Sequence, residues 1–566
     1  MSTLDWFILC SFLLFVVVYG VWKTRGKKDL KDYLLANKSA RWYTVTLSIM
    51  ATQASAITFL SAPGQSYVDG MRFVQFYLGL PIAMIILSIT AVPLYHKLNV
   101  YTAYEYLEQR FDLKNRALGS ILFLIQRSLA AGFTIFAPAL IISVLMGWDI
   151  RYTIFIIGFL VVVYTTSGGT DAVNKTHLLQ MFIIMVGMFS AFIMLFRLMP
   201  PDISFMDAAN IAGKMGKLNA ITFDFDWRDR YNFWSGLIGG TFLALSYFGT
   251  DQSQVQRYLS GSSIAQSRMG LLANGMVKIP MQFAILFIGA MVFVFYQFVT
   301  PPVFFNSVET ENIKNSTYAA EYSRLETEYD RIHIERQDQI REMLAAVESG
   351  NDPELNNSLE KLESSKSAAA GIREEAVGLI QRANPEADTD DTNYIFLNFV
   401  VSFLPVGLVG LILAAILSAS MSSTSAELNA LASTTIVDIY KRMFKKEASD
   451  RHYLIASKLA TVFWGIFAVN FALFANRLGS LIEAVNILGS LFYGTILGIF
   501  LIAFYLKKIG GTATFIAALI AETVVIACFF ITEIPYLWFN MIGCVIVVII
   551  ALLLNPFMEK KEDLKT

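Results

Sequence analysis

Charge is scarce in this chain: only 16% of its 566 residues are Asp, Glu, Lys or Arg, while 55% are hydrophobic and the mean hydropathy is +0.54. A soluble protein of that length would divide into several domains and carry more charge. Cysteine is scarcer still. Cys10, Cys528 and Cys544 all lie inside apolar runs, which leaves no disulfide or cysteine–metal framework and makes them small hydrophobes. A net charge of −1 with no basic patch gives no reason to expect a nucleic acid partner. Nor is there a nucleophile–base pair or metal-ligand cluster of the kind an enzyme needs, or the carbonyl filter or charged ring of a channel.

Long apolar runs are what the sequence has instead, many of roughly 18 to 25 residues, the length that crosses hydrocarbon. We count about thirteen spans, at roughly 5–23, 43–62, 73–95, 117–146, 151–167, 177–199, 233–251, 272–299, 396–424, 454–475, 480–506, 511–532 and 535–555. An all-α membrane protein held in the lipid bilayer is expected. The first run, Trp6 to Trp22, has no basic stretch before it and no small-residue cleavage site after it, so it reads as a retained span. Lys23, Arg25, Lys27, Lys28, Lys31, Lys38 and Arg41 follow it and place that loop in the cytoplasm and the N-terminus outside. Alternation then puts Lys97/Arg110/Lys114/Arg116, Arg257/Arg268, Lys441/Arg442/Lys445/Lys446, Lys507/Lys508 and the tail with Lys560 and Lys561 on the same side. Each of these is rich in Lys or Arg, as a plasma-membrane protein, such as one of a bacterial inner membrane, requires.

One segment, 305–392, is too polar for the membrane. Helical periodicity sets Leu325, Tyr329, Ile332, Ile340, Met343, Leu344 and Val347 along one side of about 316–348, and Leu355, Leu359, Leu362, Ile372, Leu379 and Ile380 along one side of about 353–383. Ser349-Gly350-Asn351-Asp352-Pro353 between them is a stop-and-restart signal. The spacing predicts an antiparallel extracytoplasmic helical hairpin projecting on the order of 45 Å. It is either a tolerated loop insertion or a docking surface for a partner protein.

Two spans carry unusual polarity. Ala51-Thr52-Gln53-Ala54-Ser55-Ala56-Ile57-Thr58, followed by Ser61-Ala62-Pro63-Gly64, is small and polar in mid-membrane. It suits either close helix packing or an interrupted helix whose freed carbonyls bind a cation. Ser418, Ser420, Ser422, Ser423, Thr424 and Ser425 crowd the ninth span. One or two hydroxyls satisfy themselves on the preceding turn, but six exceed what packing needs. A neutral hydroxyl-and-carbonyl cage suits Na⁺, a hard cation that takes oxygen ligands and must leave again.

With these segments the sequence resembles the sodium/solute symporter family, which includes the sodium–glucose, sodium–proline, sodium–iodide and sodium–sialic acid transporters. The likeness rests on Ala51 to Phe59, on Thr102-Ala103-Tyr104-Glu105-Tyr106-Leu107-Glu108-Gln109-Arg110-Phe111, on Gly249-Thr250-Asp251-Gln252-Ser253-Gln254-Val255-Gln256-Arg257-Tyr258, and on the run from Ala414 to Tyr440. It implies a LeuT-like fold of two inverted five-helix repeats. The first helix and basic loop would occupy 1–42 and the first repeat 43–199. The second repeat would occupy 233–304 and 393–506, interrupted by the hairpin 305–392, with two C-terminal helices and the tail in 507–566. The resemblance further implies a Na⁺ site on the Ala51, Ala54 and Ala419 carbonyls and the Ser422 and Ser423 hydroxyls. It also implies a solute site drawing on Gln53, Ser55, Thr58, Phe73, Gln75 and Arg127, with Tyr247 as an aromatic inner gate.

Three departures from the family pattern narrow the reading. Where sialic acid transporters with a second sodium carry an aspartate and two further serines, this chain has His177, Ser425 and Ala426, so one Na⁺ per cycle is expected. His177 is either a neutral, hydrogen-bonded histidine or, protonated, a modulator of ion exit. Positions that bond sugar hydroxyls in galactose-carrying members are Ile57, Thr58, Ala244 and Val485, which disfavours a sugar or polyol. Arg127, alone in an apolar run, suits a solute carboxylate or an internal ion pair with Glu427 or Glu522. The implied function is Na⁺-coupled import of a small organic solute by alternating access, a monocarboxylate or sialic acid-like solute being favoured. A membrane sensor on the same helix bundle is the alternative of another class, though no kinase domain follows at Glu559 to Thr566.

Overall fold

A backbone in hydrocarbon has no water to bond, so each crossing closes its own hydrogen bonds as a helix. The computed structural model describes residues 1–23, 38–98, 100–475 and 479–558, and it is helical, with no strand among those residues. The chain opens with α1 (Thr3–Lys23), α2 (Trp42–Gln53) and α3 (Ala56–Asp69). A 3-10 segment, Gly70–Tyr77, leads into α4 (Leu80–Ile89), α5 (Ala91–Leu98) and α6 (Ala103–Arg110), followed by α7 (Leu113–Met146), α8 (Ile150–Leu198) and the short α9 (Phe205–Lys214). After a π-helical turn at Ser235–Gly239 come α10 (Gly240–Gly249), α11 (Gln252–Leu259) and α12 (Ile264–Phe298). The insertion supplies α13 (Ser307–Lys314), α14 (Ala319–Ser349) and α15 (Asp352–Ala383). Then follow α16 (Thr392–Phe403), α17 (Leu408–Thr434), α18 (Asp450–Ala472), α19 (Leu481–Tyr505), α20 (Gly511–Ile531) and α21 (Tyr536–Met558).

Among the described residues nine helical stretches are long and apolar enough to cross a bilayer, with four shorter apolar helices beside them. The thirteen expected spans are not reproduced one for one. Those at 151–167 and 177–199 lie in one helical run, α8, where no proline interrupts the hydrogen-bond ladder. The span at 396–424 is divided instead, because Pro405 and Gly407, at φ 89°, end α16 before α17 starts.

Small residues in α3 serve close packing. A Cβ on Gly64 would lie 2.0 Å from the Thr392 carbonyl oxygen, and one on Gly289 of α12 would lie 2.2 Å from that of Pro63. So α3 is wedged backbone to backbone between α12 and α16. At one end of the bundle three of the Lys/Arg-rich segments meet: Arg110 donates to the Leu506 and Lys507 carbonyls at 3.3 and 2.7 Å. Arg116 bonds Asp438 and Glu108, and Arg442 bonds Glu108. Arg25, Lys27, Lys28, Lys31, Lys560 and Lys561 fall outside the described residues.

The insertion is an antiparallel hairpin turned at Gly350, in the left-handed region at φ 65°, with Asn351 as cap and Pro353 in the first turn of α15. It does not project. Leu325, Tyr329 and Ile332 pack with Phe304 and Ile313. Further along α14, Ile340, Met343 and Leu344 join the main core. Gln337 donates to the Phe298 carbonyl at 3.0 Å, and Arg341 pairs with Asp202 at 3.4 Å. The hairpin therefore lies across the ends of α8 and α12, because the apolar stripe of α14 is covered by the bundle as well as by α15.

Two tests follow. Gly289→Ala should destabilise the fold by about 1–3 kcal/mol through overpacking against Pro63, seen as a lower Tm, while Gly371→Ala in α15, with nothing within 4 Å, should not. His333 of α14 is buried, and its imidazole is pushed down to about 4 by burial and by the Arg336 guanidinium. The folded state then binds fewer protons than the unfolded chain between about pH 6.5 and pH 4, so stability falls as pH drops through that window. His333→Gln should shrink the loss of Tm between pH 7 and pH 5; an identical loss in both proteins would contradict the assignment.

Candidate functional site

The helix of the second span breaks where its residues are smallest. α2 stops at Gln53, Ala54 turns out at ψ 69°, and Ser55 is extended before α3 restarts at Ala56. The Ala54 N–H still reaches the Met50 carbonyl at 2.7 Å, and the Thr58 N–H caps on the Ser55 carbonyl at 3.0 Å. Thr58 Oγ1 donates to the Gln53 carbonyl at 3.2 Å. Among the described residues no backbone N–H pairs with the Ala51 or Ala54 carbonyl, which leaves two buried acceptors for a cation. A second break, not anticipated, separates α10 from α11: Thr250 sits at φ −130° and Asp251 is extended, its carboxylate capping α11 at Ser253.

α17 packs against both α2 and α3, and its six hydroxyls divide by task. Ser420 Oγ donates to the Thr134 carbonyl at 2.5 Å and Thr424 Oγ1 to Thr134 Oγ1 at 3.0 Å, tying α17 to α7. Ser425 Oγ bonds Thr165 Oγ1 of α8 at 2.8 Å. Ser423 Oγ donates within its own helix, to the Ala419 and Ser420 carbonyls at 3.2 and 3.1 Å. Ser418 and Ser422 are buried with no hydrogen-bond partner. The Ser422 and Ser423 hydroxyls and the Ala51, Ala54 and Ala419 carbonyls are neutral oxygens carried by elements that pack together, the kind of donor that a hard monovalent cation takes. Among the described residues no group of three or more His, Cys, Asp or Glu competes as a metal site.

Beside the break lies a cavity of about 130 Å³. Gln53, Ser55, Thr58, Arg127 and Tyr247 line it, as do Ile57, Ala244 and Val485. Phe73 and Gln75 do not. Phe73 is buried against Phe76, with ring centroids 5.4 Å apart. Gln75 donates to the Tyr231 carbonyl at 2.7 Å and accepts the Thr222 N–H at 2.9 Å. Both shape the wall from behind, because the 3-10 turn at Gly70–Tyr77 points Phe76 and Tyr77 inward in their place.

Arg127 is not free. Its guanidinium pairs with Asp251 and with Glu427 at 3.0 Å, and donates to Tyr493 Oη at 2.7 Å. The Arg127–Glu427 ion pair is thus the one present, with Asp251 as a second carboxylate, and Glu522 takes no part. Tyr247 sits against this network, 5.5 Å from the Arg127 guanidinium to its ring centroid, and its hydroxyl accepts from Gln254 at 2.6 Å. The cation that the sequence reading missed is Lys278. It is buried on α12, lines the cavity, and lies 5.7 Å from the Tyr77 ring centroid. No carboxylate among the described residues pairs with it. Its signal was the one used for Arg127: a lone charge inside an apolar run. His177 is off the cavity, with Nδ1 3.3 Å from Ser48 Oγ of α2 and the Ser422 backbone of α17 beside its ring.

A model of the sodium:solute symporter family matches residues 33–320 and 375–521, leaving most of the hairpin between the two matched stretches. The chain belongs to that family, whose members are transporters and not enzymes. The sodium-coupled monocarboxylate transporter 1 of Xenopus laevis is 33% identical over 273 residues, 48% of this chain and 43% of that protein. The sodium/sialic acid symporter of Aliivibrio fischeri is 24% identical over 564 residues, 99% of this chain and 94% of that one. A solved structure of a Na⁺-coupled sialic acid symporter in a substrate-bound outward-open state matches with a TM-score of 0.74 at 22% identity, over 98% of each chain. The all-helical transporter fold expected from the sequence is the fold observed.

The division of the hydroxyls is testable. Ser422→Ala removes an orphan and should leave Tm unchanged while raising the Na⁺ concentration for half-maximal uptake about tenfold, the cost of one lost polar ligand. Ser420→Ala should do the reverse, lowering Tm and sparing Na⁺ dependence. Equal Na⁺ dependence in the two variants would sink the assignment.

Proposed function

We propose that this symporter carries a small monocarboxylate across the plasma membrane together with one Na⁺. The proposed ion site is the carbonyl set of Ala51, Ala54 and Ala419 with the Ser422 and Ser423 hydroxyls. The observation that carries the solute assignment is the charge arrangement of the cavity. Arg127 is already neutralised by two carboxylates, whereas Lys278 faces the same space with none. A lone ammonium in a membrane helix is costly, and a solute carboxylate would satisfy it by a charge-assisted hydrogen bond. Ile57, Ala244 and Val485 offer no bonds to sugar hydroxyls, which argues against a sugar or polyol. The names of the monocarboxylate and sialic acid relatives point to the same chemical class.

In this reading Tyr247 closes the inner side of the cavity above Arg127, and the α2–α3 break lets bound Na⁺ report to the solute site through Gln53, Ser55 and Thr58. One Na⁺ per cycle is proposed because position 177 is a histidine held by Ser48, position 426 is an alanine, and Ser425 is bonded to Thr165. The N-terminus is placed outside and the C-terminus in the cytoplasm, as in a bacterial inner membrane, with the hairpin on the outer face. Because the bundle covers one side of the hairpin, a protein partner would dock on its other, charged side.

The test is uptake into proteoliposomes driven by an inward Na⁺ gradient. Short monocarboxylates should be taken up and their neutral amides should not. Lys278→Met should raise the half-saturating acid concentration about 10- to 100-fold, from the 1.5–3 kcal/mol of a charged hydrogen bond. An unchanged half-saturation, or equal uptake of acid and amide, would contradict the solute class.

A further inference from the structure

The bundle contains a second cavity, of about 310 Å³, that the transport path does not use. It lies between α3, α8 and α12. Phe59 forms its back wall, Met185, Met188 and Phe192 one side, and Met281 and Ile288 the other. It starts one turn from the Gly289–Pro63 contact where α3 and α12 touch backbone to backbone. Phe192 and Phe287, with ring centroids 6.1 Å apart, stand at the side nearer the hairpin. The lining presents side chains of Phe, Met, Ile and Ala only.

The surroundings limit what can enter. The lining comes from Leu179–Leu198 and Ile264–Phe298, two of the stretches that cross the membrane, and its rim residues Met185, Phe189 and Phe283 are exposed. At that depth the medium outside is bilayer hydrocarbon. A hydrated solute or lipid headgroup would find no hydrogen-bond partner inside. Methionine and phenylalanine adapt to an irregular apolar guest.

We propose that this crevice is a binding site for one acyl chain of a bilayer phospholipid, lodged against Phe59. The site touches the transport machinery at one point. Phe59 lies one turn beyond the Ala54–Ser55 break, so the bound chain packs against α3 beside the break.

The test uses the full chain in nanodiscs of phosphatidylcholine bearing a photoreactive diazirine on its acyl chain, with adducts mapped by mass spectrometry. Crevice residues Met185, Met188 and Met281 should label more heavily than Phe530 and Ile531, which are exposed on α20. Ala284→Trp, which fills the rim, should cut crevice labelling about fivefold or more by steric exclusion without changing labelling at Phe530 and Ile531. Labelling of the native protein alone decides the matter if that variant does not fold. Crevice labelling no greater than that of α20 would overturn the proposal, and so would labelling by a photoreactive sterol in place of the phospholipid.

Discussion

Hydrocarbon forbids unpaired backbone polar groups, and the interruption of a membrane helix at Ala54–Ser55 is tolerable only because something else answers the freed carbonyls. Most of the site's architecture follows from that constraint. α3 is pinned at Gly64 and Gly289 by contacts too close for any side chain, so the break cannot relax by sliding the helix. The Ser/Thr-rich face of α17 stands opposite, with part of its hydroxyl content bound to α7 and α8 and part left over. The leftover hydroxyls and the freed carbonyls are all neutral oxygens. In the proposed site that composition suits a monovalent ion, since it lacks the dense negative charge that would retain a divalent one.

The cavity next to the break shows a similar division of labour between two cations. Arg127 belongs to a buried network with Asp251, Glu427 and Tyr493, which joins α7, α17, α19 and the break between α10 and α11. Removing one partner of such a network strands a buried charge, and its bonds link those elements to one another. Among the described residues Lys278 pairs with no carboxylate, and in the proposed reading its counter-ion is the solute's own carboxylate.

Much of this was legible in the sequence. The small, polar run from Ala51 to Thr58 was readable as either close packing or an interrupted helix, the serine cluster as more hydroxyls than packing needs, and the hairpin turn as Gly350 and Pro353 in their usual places. Composition could not say which hydroxyls were structural, since Ser420 and Ser422 differ only in that one reaches the Thr134 carbonyl and the other has no partner. Nor could it separate Arg127 from Lys278, because a lone charge in an apolar run looks the same whether or not a carboxylate on another helix reaches it. The hairpin's helices were readable from periodicity, but its lie across the bundle was not: an apolar stripe does not reveal whether one surface or two will cover it. Phe73 and Gln75 were misplaced by the 3-10 turn, whose threefold repeat rotates successive side chains differently from an α-helix.

The central claim is that Na⁺ and a small carboxylate occupy one coupled site, and its most direct measurement is ligand-induced thermal stabilisation of the purified protein in Na⁺ against K⁺. A ligand that binds only the Na⁺-loaded protein raises Tm with its concentration in Na⁺ alone. The account predicts that short monocarboxylates stabilise the protein in Na⁺ and leave it unchanged in K⁺. Equal stabilisation in both salts, or stabilisation by neutral sugars and not by acids, would contradict it.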